Sequence, residues 1–137
     1  MIIDKTTQTL RAYENGRLVM QTRVSTGKPG KETPNGSFRA QYKERMHYSR
    51  LYDNAPMPYS VNLRGHYFIH GYSEVPPYPA SRGCVRLPMS VAPHFYNWIT
   101  PGTPVTITGH WAGHRPKEKK ARRLSLFGRK EKAVSQL

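Results

Sequence analysis

Acidic residues are scarce in this chain: eight Asp and Glu stand against 22 Lys and Arg among 137 residues, a net charge of +14 with His neutral. Such a balance suits an anionic partner, whether nucleic acid, lipid or another polymer, and charge alone does not choose among them. Cysteine occurs once, at Cys84, so no intrachain disulfide can form. No apolar run approaches the length of a membrane-spanning helix. Met1–Leu10 lacks the apolar stretch of a secretory signal, because Asp4 and Lys5 interrupt it. Metal-ligand spacing is missing too: His47, His66, His70, His94, His110 and His114 are scattered, and the only thiol stands alone. The segment TGKPGK has Gly and Lys without P-loop spacing, so it reads as a turn. No nucleic-acid motif appears, and the aromatics do not interleave with the basic tail. We therefore expect no metal, no cofactor and no specific nucleic-acid partner.

What is present points to a β protein. Twelve Pro and eleven Gly favour strands and loops over a helical bundle. Residues 8–14 and 17–24 flank Asn15-Gly16, a pair that supplies the positive φ angles a tight hairpin needs. Leu18, Met20, Thr22 and Val24 alternate with polar partners, the pattern of a half-buried strand. Residues 25–38, STGKPGKETPNGSF, read as an ordered loop leading into a strand. Residues 43–60 read as irregular, and Tyr67 to His70 as a central strand. One helix is expected over 90–100, with Ser90 as its cap, Pro93 in its first turn, and Val91, Phe95, Trp98 and Ile99 on one face. Pro101-Gly102 stops it, and residues 104–110 read as a closing strand. The expected domain is therefore 1–110. Residues 111–137 form a basic tail, either disordered or a surface helix. From His110 onward nine Lys and Arg face two Glu, half the net charge in the last fifth of the chain.

The chemistry concentrates between His66 and Pro88. Cys84 follows Gly83 and lies between Arg82 and Arg86, in a loop between a strand and the helix. A thiol transfers acyl groups as the thiolate, which nearby positive charge or an imidazole base provides. Gly83 permits a sharp turn, so the backbone N–H groups of Arg82, Gly83 and Cys84 can form an oxyanion hole. His70 is the preferred base, and the thirteen residues between it and Cys84 are enough to fold back. His66 is the runner-up. The Gly71 carbonyl is favoured over Glu74 as the group orienting His70. Arg86 is the candidate for a substrate carboxylate. Met57, Tyr59 and Tyr72 are candidates to line the acyl pocket, with Ser81 as a further substrate contact.

Four blocks, STGK...TPNGSF (25–38), MPYSVNL (57–63), FIHG (68–71) and PASRGCVRLP (79–88), together resemble an L,D-transpeptidase catalytic domain of the YkuD type. The last block is the most specific, and the likeness spans about residues 1–109. The His-to-Cys gap is shorter than the general family pattern, as in a subgroup with the same flanks. Arg82 stands where the family usually has His; that position is thought to act through its backbone N–H.

The resemblance implies a mainly β sandwich or barrel with one helix after the catalytic loop. It also implies a peptidoglycan reaction, in the cell envelope or periplasm, although no signal peptide is read in this chain. Cys84 would attack the carbonyl of the third stem-peptide residue and release D-alanine. The resulting thioester would pass to an amine and form a 3→3 cross-link. Carbapenem-type β-lactams would acylate the same thiol. Water as acceptor would make the enzyme an L,D-carboxypeptidase or cysteine hydrolase, and a lysine of an envelope protein would make it a protein-anchoring enzyme. A non-enzymatic basic module binding an anionic polymer is the remaining alternative.

Overall fold

The computed structural model describes residues 1–113. The expectation for the tail, 111–137, therefore lies outside the described residues from His114 onward. Nine strands and one helix follow in chain order: β1 (Ile2–Asp4), β2 (Thr9–Glu14), β3 (Arg17–Arg23), β4 (Gly36–Arg39), β5 (Lys43–Tyr48), β6 (Pro56–Arg64), β7 (Tyr67–Tyr72), β8 (Val85–Pro88), α1 (Ala92–Trp98) and β9 (Pro104–Thr108). They build two sheets. One has the order β3-β2-β1-β9-β4 and the other β5-β6-β7-β8. The mainly β fold read from the sequence is the fold observed.

The hairpin at Asn15-Gly16 forms as its sequence dictates. Asn15 has φ 51° and Gly16 has φ 78°, the left-handed pair of a type I′ turn. The alternation along β3 holds only in part. Ala12 pairs with Met20 but Tyr13 pairs with Leu18, so Val19 bulges out. Beyond that bulge Leu18 is exposed, whereas Met20 and Val24 are buried.

One apolar core lies between the sheets. Ile3, Leu10, Val105 and Ile107 come from the first sheet, Val61, Leu63, Ile69, Val85 and Leu87 from the second, and Phe95 and Ile99 from the helical segment. Burying each such side chain contributes roughly 1.5–3 kcal/mol.

The helix is shorter than its sequence suggests. It starts at Ala92 with Val91 at the cap and no side-chain capping bond, so Ser90 does not serve that role. The Val91 N–H bonds instead to the Pro88 carbonyl, and Pro93 occupies the first turn. At the other end Lys43 Nζ donates to the carbonyls of Tyr96 (2.7 Å) and Ile99 (3.0 Å), where the helix dipole is negative.

Residues 43–60 are not irregular. They hold β5 and the start of β6, paired antiparallel from Lys43↔Val61 to Tyr48↔Pro56. β5 is an edge strand with Met46 and Tyr48 exposed, so it lacks the alternation that marks a half-buried strand. Pro56 and Pro58 disguise β6, since proline rarely enters a ladder.

Candidate active site

β7 and β8 run parallel in the second sheet, with His70 opposite Arg86 and Ile69 opposite Val85. Side chains alternate across a strand. Ile69, Val85 and Leu87 fill the core, so His70, Tyr72 and Arg86 take the other face, as does Cys84 one residue before β8. That face opens into a cavity of about 920 Å³, which His70, Tyr72, Cys84 and Arg86 all line. Six Lys or Arg border it (Lys28, Lys31, Arg50, Arg64, Arg82, Arg86), against Glu32 and Glu74.

The loop bearing Cys84 is clamped by the segment after β3. Ser25 exchanges both backbone bonds with Arg86, and the Thr26 carbonyl accepts from the N–H groups of Ala80 and Ser81. Ser25 Oγ donates to the Tyr78 carbonyl at 2.8 Å. Thr26 is held in turn by the Gln8 amide, 2.9 Å from both its N and its Oγ1. Thr33 Oγ1 accepts from the Gly27 N–H (2.9 Å) and donates to the Gly83 carbonyl (2.7 Å). Gly27 is obligatory, since a Cβ there would stand 2.0 Å from the Lys31 carbonyl oxygen. Sequence reading gave 25–38 only the role of an ordered loop. Its small hydroxyl residues, spaced through a turn-rich stretch, were the available signal of a buried hydrogen-bonding scaffold.

His70 is 6 % exposed, and its Nδ1 donates to the Gly71 carbonyl at 2.8 Å. A carbonyl only accepts, so Nε2 is left as the basic nitrogen. Burial pushes the imidazole down to about 4; the charges of Arg86 and His47 add to this, and the Gly71 carbonyl opposes it. Gly71 has its own reason to be glycine: a Cβ would meet Met89 Sδ at 2.5 Å and Ala92 Cβ at 2.9 Å, where α1 packs on β7. Glu74 forms no hydrogen bond or ion pair with His66 or His70; its carbonyl lies 3.5 Å from an Arg86 nitrogen.

His66 sits in the exposed turn between β6 and β7 and meets the thiol by its backbone. Cys84 Sγ lies 3.5 Å from the His66 carbonyl oxygen. Burial works against the thiolate that Arg82, Arg86 and an imidazole are expected to favour. Burial pushes the Cys84 thiol up, outweighing a backbone bond from Phe68 and the Arg86 charge. At neutral pH the free pair is therefore thiol and neutral imidazole. The base must act as the sulfur attacks.

Two expectations for the Cys84 loop, one of the backbone and one of a side chain, also change. The Gly83 N–H already donates to Ser81 Oγ at 3.1 Å, so it is not free for an oxyanion. The N–H groups of Arg82 and Cys84 have no partner among the described residues. Ser81, expected to touch substrate, is buried, and its hydroxyl donates to the Cys84 carbonyl. It holds the loop in shape. Gly83 has φ 132°, and an added Cβ would stand 3.2 Å from the Tyr67 ring.

Arg86 is 9 % exposed with its guanidinium 4.2 Å from the Tyr72 ring centroid. Its one hydrogen bond is long, and no carboxylate pairs with it among the described residues. Arg82 lays its guanidinium over Tyr52 at 4.6 Å, joining the Cys84 loop to the β5–β6 connection. Met57 and Tyr72 line the cavity. Tyr59 does not: at φ 55° it packs on Tyr96 (5.6 Å) and under Arg45 (4.4 Å). That left-handed residue breaks the alternation of β6, which is why a sequence pattern misplaces it. Among the described residues no group of three or more His, Cys, Asp or Glu is placed to hold a metal ion.

The L,D-transpeptidase catalytic-domain family, YkuD, matches residues 1–107. The chain belongs to that family, whose members are generally cysteine enzymes acting on peptidoglycan stem peptides at the cell envelope. It is 27% identical over 125 residues to L,D-transpeptidase 1 of Mycobacterium tuberculosis, covering 74% of this chain and 47% of that protein. The crystal structure of an L,D-transpeptidase from Stackebrandtia nassauensis superposes with a TM-score of 0.76 at 30% identity, over 82% of this chain and 56% of that one. One from Xylanimonas cellulosilytica gives 0.71 at 32% identity, over 78% and 58%. The chain thus spans about half the length of the curated relatives it matches.

Proposed function

We propose that this domain is a peptidoglycan L,D-transpeptidase with Cys84 as nucleophile and His70 as base. The carrying observation is the shared face of β7 and β8, which turns both side chains into one open, basic cavity. His70 Nε2 takes the thiol proton as Cys84 Sγ attacks the carbonyl of the third stem-peptide residue. The oxyanion is met by the N–H groups of Cys84 and Arg82. His70 then gives the proton to the departing D-alanine amine, leaving a thioester on Cys84. An acceptor amine resolves it as a 3→3 cross-link. Arg86 supports the reading: a buried, stacked cation without a carboxylate partner suits a substrate carboxylate.

The test is incubation with a purified tetrapeptide stem followed by mass analysis. Loss of D-alanine with formation of a linked dimer is expected, and Cys84→Ala should abolish both. His70→Ala should slow thioester formation by a factor on the order of 10². His66→Ala should leave that rate within about twofold, since its imidazole plays no part. D-alanine loss without dimer would show water to be the acceptor. Processing that survives Cys84→Ala would overturn the proposal.

A further inference from the structure

Besides His66 and His70, the cavity is lined by a third histidine that the first half of the reaction leaves unused. His47 lies on β5, with its Nδ1 2.7 Å from Glu44 Oε1. A carboxylate accepts, so Nδ1 carries the proton and Nε2 is the acceptor nitrogen. Nε2 has no partner among the described residues. The ring stacks on Phe68 with centroids 4.4 Å apart and planes at 27°. Phe68 precedes Ile69, the register partner of Val85, so His47 leans toward the part of the sheet where Cys84 stands.

From the structure we infer that His47, oriented by Glu44, is a second base that takes a proton from the incoming acceptor amine. The inference rests on the transferase reading above. An alkyl amine arrives as an ammonium ion at neutral pH and cannot attack until it loses a proton. Two protons must leave the nitrogen before an amide results. His47 Nε2 accepts the first, which leaves a neutral amine. As the C–N bond forms at the thioester carbonyl, His70 Nε2, free again after D-alanine has left, accepts the second. The C–S bond breaks and Cys84 Sγ receives that proton from His70. The products are the amide and the free thiol, and His47 returns its proton to solvent.

The surroundings favour this division of labour. His70 is buried against a carbonyl and resists becoming charged. His47 instead has the Glu44 carboxylate on Nδ1, which fixes its tautomer and leaves Nε2 as the acceptor. Around His47, β6 presents the uncharged Met57 and β7 presents Phe68 and His70. The connection between β5 and β6 adds Arg50 and Tyr52 to the same cavity. The six cations bordering that cavity disfavour a bound ammonium and so help it to give up its proton.

The experiment compares two acceptors in wild-type and His47→Gln enzyme, with a tetrapeptide stem as donor near pH 7. Methylamine is an ammonium ion there and needs the first deprotonation. Hydroxylamine is already neutral and does not. The ratio of amine transfer to thioester formation should fall in His47→Gln on the order of 10²-fold with methylamine and far less with hydroxylamine. Raising the pH should restore methylamine transfer. Glu44→Gln should reproduce a smaller part of the same selective loss. Equal losses with both amines would show a structural role and overturn the inference. So would undiminished methylamine transfer in a variant that still forms the thioester. Failure of the wild-type enzyme to form any thioester on Cys84 would instead sink the transferase reading, and the second base with it.

Discussion

Acid should destabilise this domain through His70 in particular. The imidazole is held at about 4 in the folded protein, against 6.5 for an unperturbed one. The unfolded chain therefore binds one more proton than the folded chain between those values. Stability from the neutral imidazole is complete above pH 6.5 and is lost as pH falls toward 4. Below that both states are protonated and the loss stops. At 1.36 kcal/mol for each tenfold change, the full difference is about 3 kcal/mol, with about 2.5 already gone at pH 4.5. Carboxylates contribute their own acid sensitivity, Glu32 among them, since backbone bonds hold it low. A double difference removes them. Denaturant unfolding of wild type and His70→Gln, each at pH 7.5 and pH 4.5, isolates the imidazole. The wild type should lose about 2.5 kcal/mol more than the variant on acidification. Equal losses would mean that His70 charges freely in the folded state, and the account of its burial would fail.

Three other outcomes follow from the geometry. Arg86→Lys should raise the apparent binding constant for the tetrapeptide more than it slows alkylation of Cys84, because lysine offers no planar fork to stack on Tyr72; unchanged kinetics would refute the carboxylate role. Gly27→Ala should lower unfolding stability by roughly 3 kcal/mol, because the new methyl meets backbone that cannot swing aside; an unchanged melting temperature would refute the clamp. A chain truncated after Gly113 should keep the melting temperature and tetrapeptide turnover of the full chain, since β9 ends at Thr108; a large drop would show that the basic tail packs on the domain.

Local signals carried much of the architecture. Asn15-Gly16 fixed a hairpin because few residues accept its φ angles, and Tyr67 to His70 marked an inner strand by apolar density. Where tertiary contacts decide, local pattern fails. β5 is held by pairing to β6 and exposes Met46 and Tyr48, so its sequence carries no alternation. Tyr59 leaves the cavity because one left-handed residue reverses the side-chain count along β6. In the site, the residue types around Cys84 suggested the chemistry, and the parallel register brings those side chains to one face. The protonation states were not legible. They depend on how deeply the fold buries His70 and Cys84, which neighbouring residues in the chain do not reveal. The Gly83 N–H was misassigned for a related reason, since only the folded loop shows that the Ser81 hydroxyl claims it.

The placement of β1 has a consequence for how the chain is made. β1 runs parallel to β9 and antiparallel to β2, so Ile3 is registered against both Ile107 and Leu10. β1, the first strand of this domain, is thus an inner strand of its sheet, and one of its two neighbours is β9, the last strand among the described residues. Until residues 104–108 leave the ribosome, one edge of β1 stays unpaired, and β4 has no strand to join. The sheet bearing the cavity waits for no later strand, because β5 to β8 form their ladders with one another and Ser25, which bridges to Arg86, precedes them in the chain. The half that carries the cavity can be laid down in order, while the half that braces it closes last. Such a long-range closure slows folding and leaves a strand edge open to foreign pairing in the meantime.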